Sequence, residues 1–146
     1  LNLRILAVIC SILMPGFGQL FNRQYAKALI LLLLELGLNS TIHLNHAIRM
    51  DLIGHDEMIF RSTNLEIAHF YPGFYVMNTW DAFSSAKVGQ PDPRSVIFFI
   101  AAGFIGTLSV VFSASIPNPV VTSGLVMIGA ILLGSIIFNR SSLVTS

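Results

Sequence analysis

Four residues in "ELGLNSTIHLNH" carry chemistry that an apolar chain rarely keeps. At about 100° per residue, Asn39, His43 and His46 lie roughly 40°, 80° and 20° from Glu35 around a helix. They form one polar stripe inside a leucine-rich run. A charge in the middle of a membrane helix costs at least about 2.5 kcal/mol, so Glu35 must be protonated, paired or facing water. Three chemistries fit the stripe. Glu35 and Asn39 would hydrogen-bond across a helix bundle or to a neighbouring subunit. The stripe would line a proton, ion or quinone path. Or His43, with His69 further on, would ligate haem or chlorophyll axially. His55, Asp51, Asp56 and Glu57 follow in the next loop, but they lack the compact spacing of a zinc site, and no metal site is assigned.

No nucleophile elbow, zinc-protease helix, Cys-x-x-Cys pair or phosphate-cradling glycine loop is present, which argues against an enzyme. "GFGQLF" lacks the third glycine, the strand and the downstream acid of a dinucleotide fingerprint. The single cysteine, Cys10, excludes an intrachain disulfide and reads as a small buried or lipid-facing residue.

The elements that would hold these residues are apolar helices. Of 146 residues, 54% are hydrophobic and 10% charged, with a mean hydropathy of +0.77. Soluble domains carry roughly 25% charged residues. The net charge of +1 and the lack of a basic run exclude a nucleic-acid partner. Hydrocarbon is the expected solvent. The fold class is an all-α integral membrane protein: one membrane domain over 1–146, a bundle of four to five transmembrane helices with a kinked or re-entrant N-terminal segment. The helices are expected at about 3–21, 25–44, 65–83, 95–115 and 120–138, with an outer loop at 45–64. Residues 1–20 look partly like a signal peptide, but no small-x-small site follows and the apolar character continues past Lys27.

Charge sets the direction. Arg23 and Lys27 lie in one turn, Lys87 and Arg94 against Asp92 in another, and Arg140 near the C-terminus. In the 45–64 loop, Arg49 and Arg61 are outweighed by Asp51, Asp56 and Glu57. Basic turns stay cytoplasmic. The expected location is therefore a bacterial cytoplasmic membrane, crossed several times, with the C-terminus inside and 45–64 outside. Arg4 alone dissents: a full first span, the favoured reading, puts it outside, whereas a re-entrant one leaves it inside.

Between the first two runs stands a corner. Pro15 breaks the helix, Gly16 and Gly18 bend it and admit a close neighbour, and Gln19, Asn22 and Gln24 can bond the carbonyls this frees. Tyr25 reads as an interfacial anchor and Lys27 as snorkelling towards headgroups. "PGFGQLFNRQYAKA" resembles the P-G-x-G-Q-x-Y-N-G-Q-x-x-K-G pattern of small bacterial membrane proteins related to the TM2-domain group. Pro15, Gly16, Gly18, Gln19, Asn22, Gln24 and Lys27 match. Phe21 replaces Tyr, Arg23 replaces Gly, and Ala28 replaces the final Gly. The likeness covers 15–28 and implies a hairpin of membrane helices.

The remaining polar groups read as support. Tyr71, Tyr75 and Trp80 suggest interface belts. Asp81 suggests pairing with Arg23, Lys27 or Arg94, and Asp92 or Ser95 a cap for the next helix. Ala102 with Gly106 and Ala130 with Gly134 form small-xxx-small pairs, and Gly124, Gly129 and Gly134 recur every five residues, all suited to close helix packing. The expected function is that of a non-catalytic accessory or assembly subunit of a larger membrane complex, acting through helix contacts. The alternatives are a cofactor-carrying or proton-conducting subunit of an electron-transfer or photosynthetic complex, and a small oligomeric transporter or channel. The expected partners are membrane lipids, including bound lipid, and other integral subunits or further copies of the chain.

Overall fold

The computed structural model describes residues 2–55, 59, 63–89 and 91–138. Asp56, Glu57, Arg61 and Arg140 lie outside them. The described residues form helices and no strand.

Helix α1 (Leu3–Leu13) opens on Asn2, whose side chain accepts from the Arg4 amide at 3.0 Å, an N-cap bond. It ends because Pro15 holds the preceding Met14 in extended backbone. Gly16 then turns the chain at φ +96°, where a Cβ would sit 2.6 Å from the Ala28 carbonyl oxygen. The short α2 (Phe17–Phe21) follows. Arg23, at φ +61°, makes the next turn into α3 (Tyr25–Ile42).

The two limbs run in opposite senses along α6 (Tyr71–Ser84). On the outward limb, Arg4 Nη2 donates to the Gly89 carbonyl at 2.8 Å, and its guanidinium lies 5.1 Å over the Phe83 ring. Further along, the Ile12 carbonyl accepts from Tyr75 Oη at 2.7 Å. On the return limb, Gly16 N donates to Asn78 Oδ1 at 3.1 Å and Asn22 Nδ2 to the Ala82 carbonyl at 2.8 Å. The expected full span over 3–21 is thus corrected to a helical hairpin. The 11 residues of α1 reach only about 16 Å, roughly half a hydrocarbon core. Arg4 finishes at the same end of the molecule as Arg23 and Lys27.

At the far end, His43 takes φ +59° and separates α3 from α4 (Leu44–Leu52). The expected 45–64 loop therefore carries a helix. Its inner face buries Ala47 and Asp51. The expected 65–83 span is also broken: α5 (Leu65–Ala68) ends before a turn at His69 and Phe70, and Pro72 lies in the first turn of α6, where a missing amide hydrogen is harmless. Helix α7 (Ser95–Val111), a 3-10 turn (Ser113–Ser115) and α8 (Pro119–Ile137) complete the described chain. Among the described residues two helices, α3 and α8, are long and apolar enough to cross a membrane, while α1 and α7 are apolar but shorter.

The core lies between α1, α6, α7 and α8, where Val8, Val76, Phe83, Phe99, Ala102, Met127 and Ile131 pack together. Trp80 meets Phe99 edge-on at 5.1 Å, so it belongs to this core rather than to an interface belt. Gly106 and Gly134 admit close neighbours: a Cβ would lie 2.6 Å from Pro72 Cβ at the first and 2.4 Å from Phe98 Cβ at the second. Gly124 and Gly129 face open space and do not serve packing within the chain. Asp92 binds its near neighbour Arg94, with Nη2 to Oδ2 at 2.7 Å; Arg94 occupies the N-cap of α7, which has no side-chain cap.

Candidate functional site: a polar clasp and an apolar cavity

The corner residues converge on the C-terminal half of α6. Gln19 Nε2 donates to the Asn78 carbonyl and to Asp81 Oδ2, each at 2.9 Å. Lys27 Nζ reaches Asp81 Oδ1 at 2.9 Å. With Gly16 N on Asn78 Oδ1 and Asn22 Nδ2 on the Ala82 carbonyl, the corner places four donors, spread over 16–27, on one stretch of a single helix. Gln19, Asn22 and Asn78 are buried. Gly18 makes the approach feasible, since a Cβ there would lie 2.4 Å from the Ala7 carbonyl oxygen and 2.6 Å from Ala82 Cβ. Gln24 contributes backbone: its amide bonds the Gln19 carbonyl and its carbonyl receives the Ala28 amide. Lys27 turns to Asp81 rather than away towards headgroups, and of the three basic partners considered for Asp81 it is the one engaged.

Each of the four donors meets a carbonyl, an amide oxygen or a carboxylate. Asn78 is the member that sequence reasoning missed. Its signal was its place three residues before Asp81, on the same helix face.

The stripe behaves differently along its length. Glu35 is only 4% exposed and accepts from Tyr71 Oη at 2.9 Å, and Asn39 addresses the same carboxyl one turn on. The left-handed turn at His43 then resets the helical phase. His43 and His46 are exposed and do not continue the buried face. Tyr71 and Tyr75 are likewise internal bonding groups, not belt residues. His69 is half-buried; its Nδ1 bonds the Leu65 carbonyl and its own carbonyl accepts from Thr107. The histidines do not converge: no group of three or more His, Cys, Asp or Glu side chains gathers among the described residues.

Asp51 acts where the sequence reading saw only loop charge. Its Oδ2 accepts from the Val121 amide at 2.7 Å, and its carbonyl accepts from Asn118 Nδ2 at 2.6 Å. The cap residue of α8, Asn118, has no side-chain cap bond of its own. Asp51 thus caps α8 from α4, its negative charge set against the positive end of that helix dipole.

Beneath α4 lies a cavity of about 350 Å³ bounded by α4, α5, α6, α7 and α8. Its walls are mostly aliphatic, including Ile48, Val110 and Ile128, and no charged residue lines it. Water gains little from such walls. No family model, curated protein or solved structure matches the chain.

Proposed function

We propose that this chain is a multi-pass integral membrane protein, with its N-terminal hairpin re-entrant from the cytoplasmic face, that serves as a non-catalytic accessory or assembly subunit through helix contacts. The observation that carries the reading is the division of its surfaces. Gln19, Asn22, Lys27 and Glu35 each make a side-chain hydrogen bond inside the chain. Meanwhile α3, 18 residues long, buries only Ala28, Leu31, Glu35 and Ile42 and leaves Leu29, Ile30, Leu33, Leu34 and Leu36 exposed. Such a face requires hydrocarbon or another apolar helix beside it. Gly129, open on α8, offers a place where a second helix can come close.

The charge pattern supports a direction. With Arg4 at the same end as Arg23, Lys27, Lys87 and Arg94, all five cations of that end obey the positive-inside rule together, and α4 lies outside. The TM2-like pattern at 15–28 belongs to the same reading. Carbonate extraction followed by mild-detergent purification tests it: the chain should stay in the membrane fraction and co-purify with stoichiometric integral partners. Recovery as a folded aqueous monomer overturns it. A visible spectrum of the same material tests the alternative in which His69 or His43 holds haem or chlorophyll, and a pure homo-oligomer would favour the transporter alternative.

A further inference from the structure

We propose that the groove between α2 and α3 is a docking site for one anionic phospholipid, with Arg23 taking its phosphate and the apolar walls taking the start of an acyl chain. The inference rests on the membrane reading above, which puts this end of the molecule at the cytoplasmic surface. The groove, of about 170 Å³, has Phe17 and Leu20 of α2 on one side and Tyr25, Leu29 and Leu32 of α3 on the other, and it closes against Gly16. Phe17, Leu20, Tyr25 and Leu29 are exposed, and no charged residue lines the walls. From Tyr25 to Leu32 the helix rises about 10 Å, roughly a third of a hydrocarbon core. The groove therefore runs inward from the headgroup level, the direction an acyl chain takes.

Charge selects the occupant. Arg23 is in the turn between Leu20 and Tyr25, at the mouth of the groove. It is exposed, and its side chain has no hydrogen-bond or ion-pair partner among the described residues. Three other cations of this end are committed: Arg4 to the Gly89 carbonyl, Lys27 to Asp81 and Arg94 to Asp92. Lys87 is also exposed, but on the turn after α6. Helix α3 begins beside Arg23 without a side-chain cap, so the positive end of its dipole lies at the same mouth. A ligand negative at its head and hydrocarbon below complements both features, and an anionic phospholipid is that ligand. A zwitterionic lipid brings a cation that offsets its phosphate. Arg23 holds its place at φ +61°, a backbone that glycine would adopt without strain. Strained residues of this kind gather at ligand sites.

The experiment ejects the full chain from nanodiscs of equimolar palmitoyl-oleoyl phosphatidylcholine and phosphatidylglycerol into a native mass spectrometer. Retained phosphatidylglycerol should exceed phosphatidylcholine several-fold. Arg23→Gln should bring the two to parity, and Arg23→Lys should keep the excess, since both variants bear the same turn strain. Lys87→Gln should leave the excess unchanged. Leu20→Ala with Leu29→Ala, at exposed wall positions, should lower retention of both lipids while helical content and melting temperature hold. No excess in the native chain, an excess that survives Arg23→Gln, or an equal loss in Lys87→Gln would each overturn the site, the last by making the preference one of overall surface charge. Carbonate extraction separates the two readings: a chain that stays in the membrane without preferring phosphatidylglycerol defeats the site alone, whereas a chain released as a folded monomer defeats the membrane reading.

Discussion

Lys27 Nζ and Asp81 Oδ1 lie 2.9 Å apart, with side chains 45% and 30% exposed, and they join the first turn of α3 to the last turn of α6. Asp81 also accepts from Gln19 at 2.9 Å, so its two oxygens serve α2 and α3. Exposed ion pairs contribute roughly 0–1 kcal/mol. Lys27→Ala is therefore expected to lower stability by less than about 1 kcal/mol. Asp81→Ala should cost about 1–3 kcal/mol, because it also strips an acceptor from buried Gln19. A double-mutant cycle in detergent should return a Lys27–Asp81 coupling below about 1 kcal/mol.

Gly18 is the contact that closes the hairpin. An added Cβ would meet Ser11 Oγ at 2.2 Å as well as the Ala7 carbonyl oxygen, and backbone cannot step aside. Gly18→Ala should cost about 1–3 kcal/mol by overpacking. Gly129→Ala, in open space, should leave the fold stable and serves as the control. Thermal melting followed by circular dichroism compares them.

Arg23 sits at φ +61°, a conformation that costs a non-glycine residue about 1–2 kcal/mol. The TM2-related pattern has glycine at this place. Arg23→Gly should hold or raise the melting temperature, and Arg23→Val should lower it.

How far the sequence discloses this arrangement differs from residue to residue. The corner at 15–24 is legible, because a proline, two glycines and three amides in an oily chain are tolerable only where their hydrogen bonds are met nearby. Its partners Asn78 and Asp81 are not, since about sixty residues separate them from the corner and only tertiary approach pairs them. The run 3–21 reads as one span because its hydropathy sums over both limbs; composition alone does not distinguish a kink at Pro15 and Gly16 from a reversal. The stripe follows helical arithmetic from Glu35 to Asn39, then fails at His43, where one left-handed residue changes the phase. The half-polar "LNHAIRMDL" reads as loop, yet its Ala47 and Asp51 find buried partners and make it α4.

Asp51→Ala should remove the cap of α8 and cost about 1–2 kcal/mol. Hydrogen exchange at the Val121 amide, which donates to Asp51 at 2.7 Å, should accelerate in the variant while the α6–α7 core stays protected. Asp51→Asn should restore part of that protection.

Asp92 lies in the turn before α7, where hydrogen bonds from Arg94 hold its carboxyl below the usual aspartate range. A depressed carboxyl pKa adds stability above the unfolded value, lost only as pH falls through the folded one. This turn should thus be insensitive to pH between roughly 5 and 8 and loosen only in stronger acid. Carboxyl-carbon NMR titration should show the depressed midpoint, and Arg94→Gln should return it towards the ordinary value.

The most direct measurement of the re-entrant membrane arrangement uses single cysteines in a Cys10→Ser background, labelled in right-side-out vesicles with a membrane-impermeant thiol reagent. Asn2→Cys and Arg23→Cys should both stay unlabelled until the vesicles are opened, while Asn45→Cys on α4 labels at once. Labelling of Asn2→Cys and Arg23→Cys from opposite sides would contradict the hairpin, and release of all three variants from the vesicles as folded soluble chains would contradict the membrane itself.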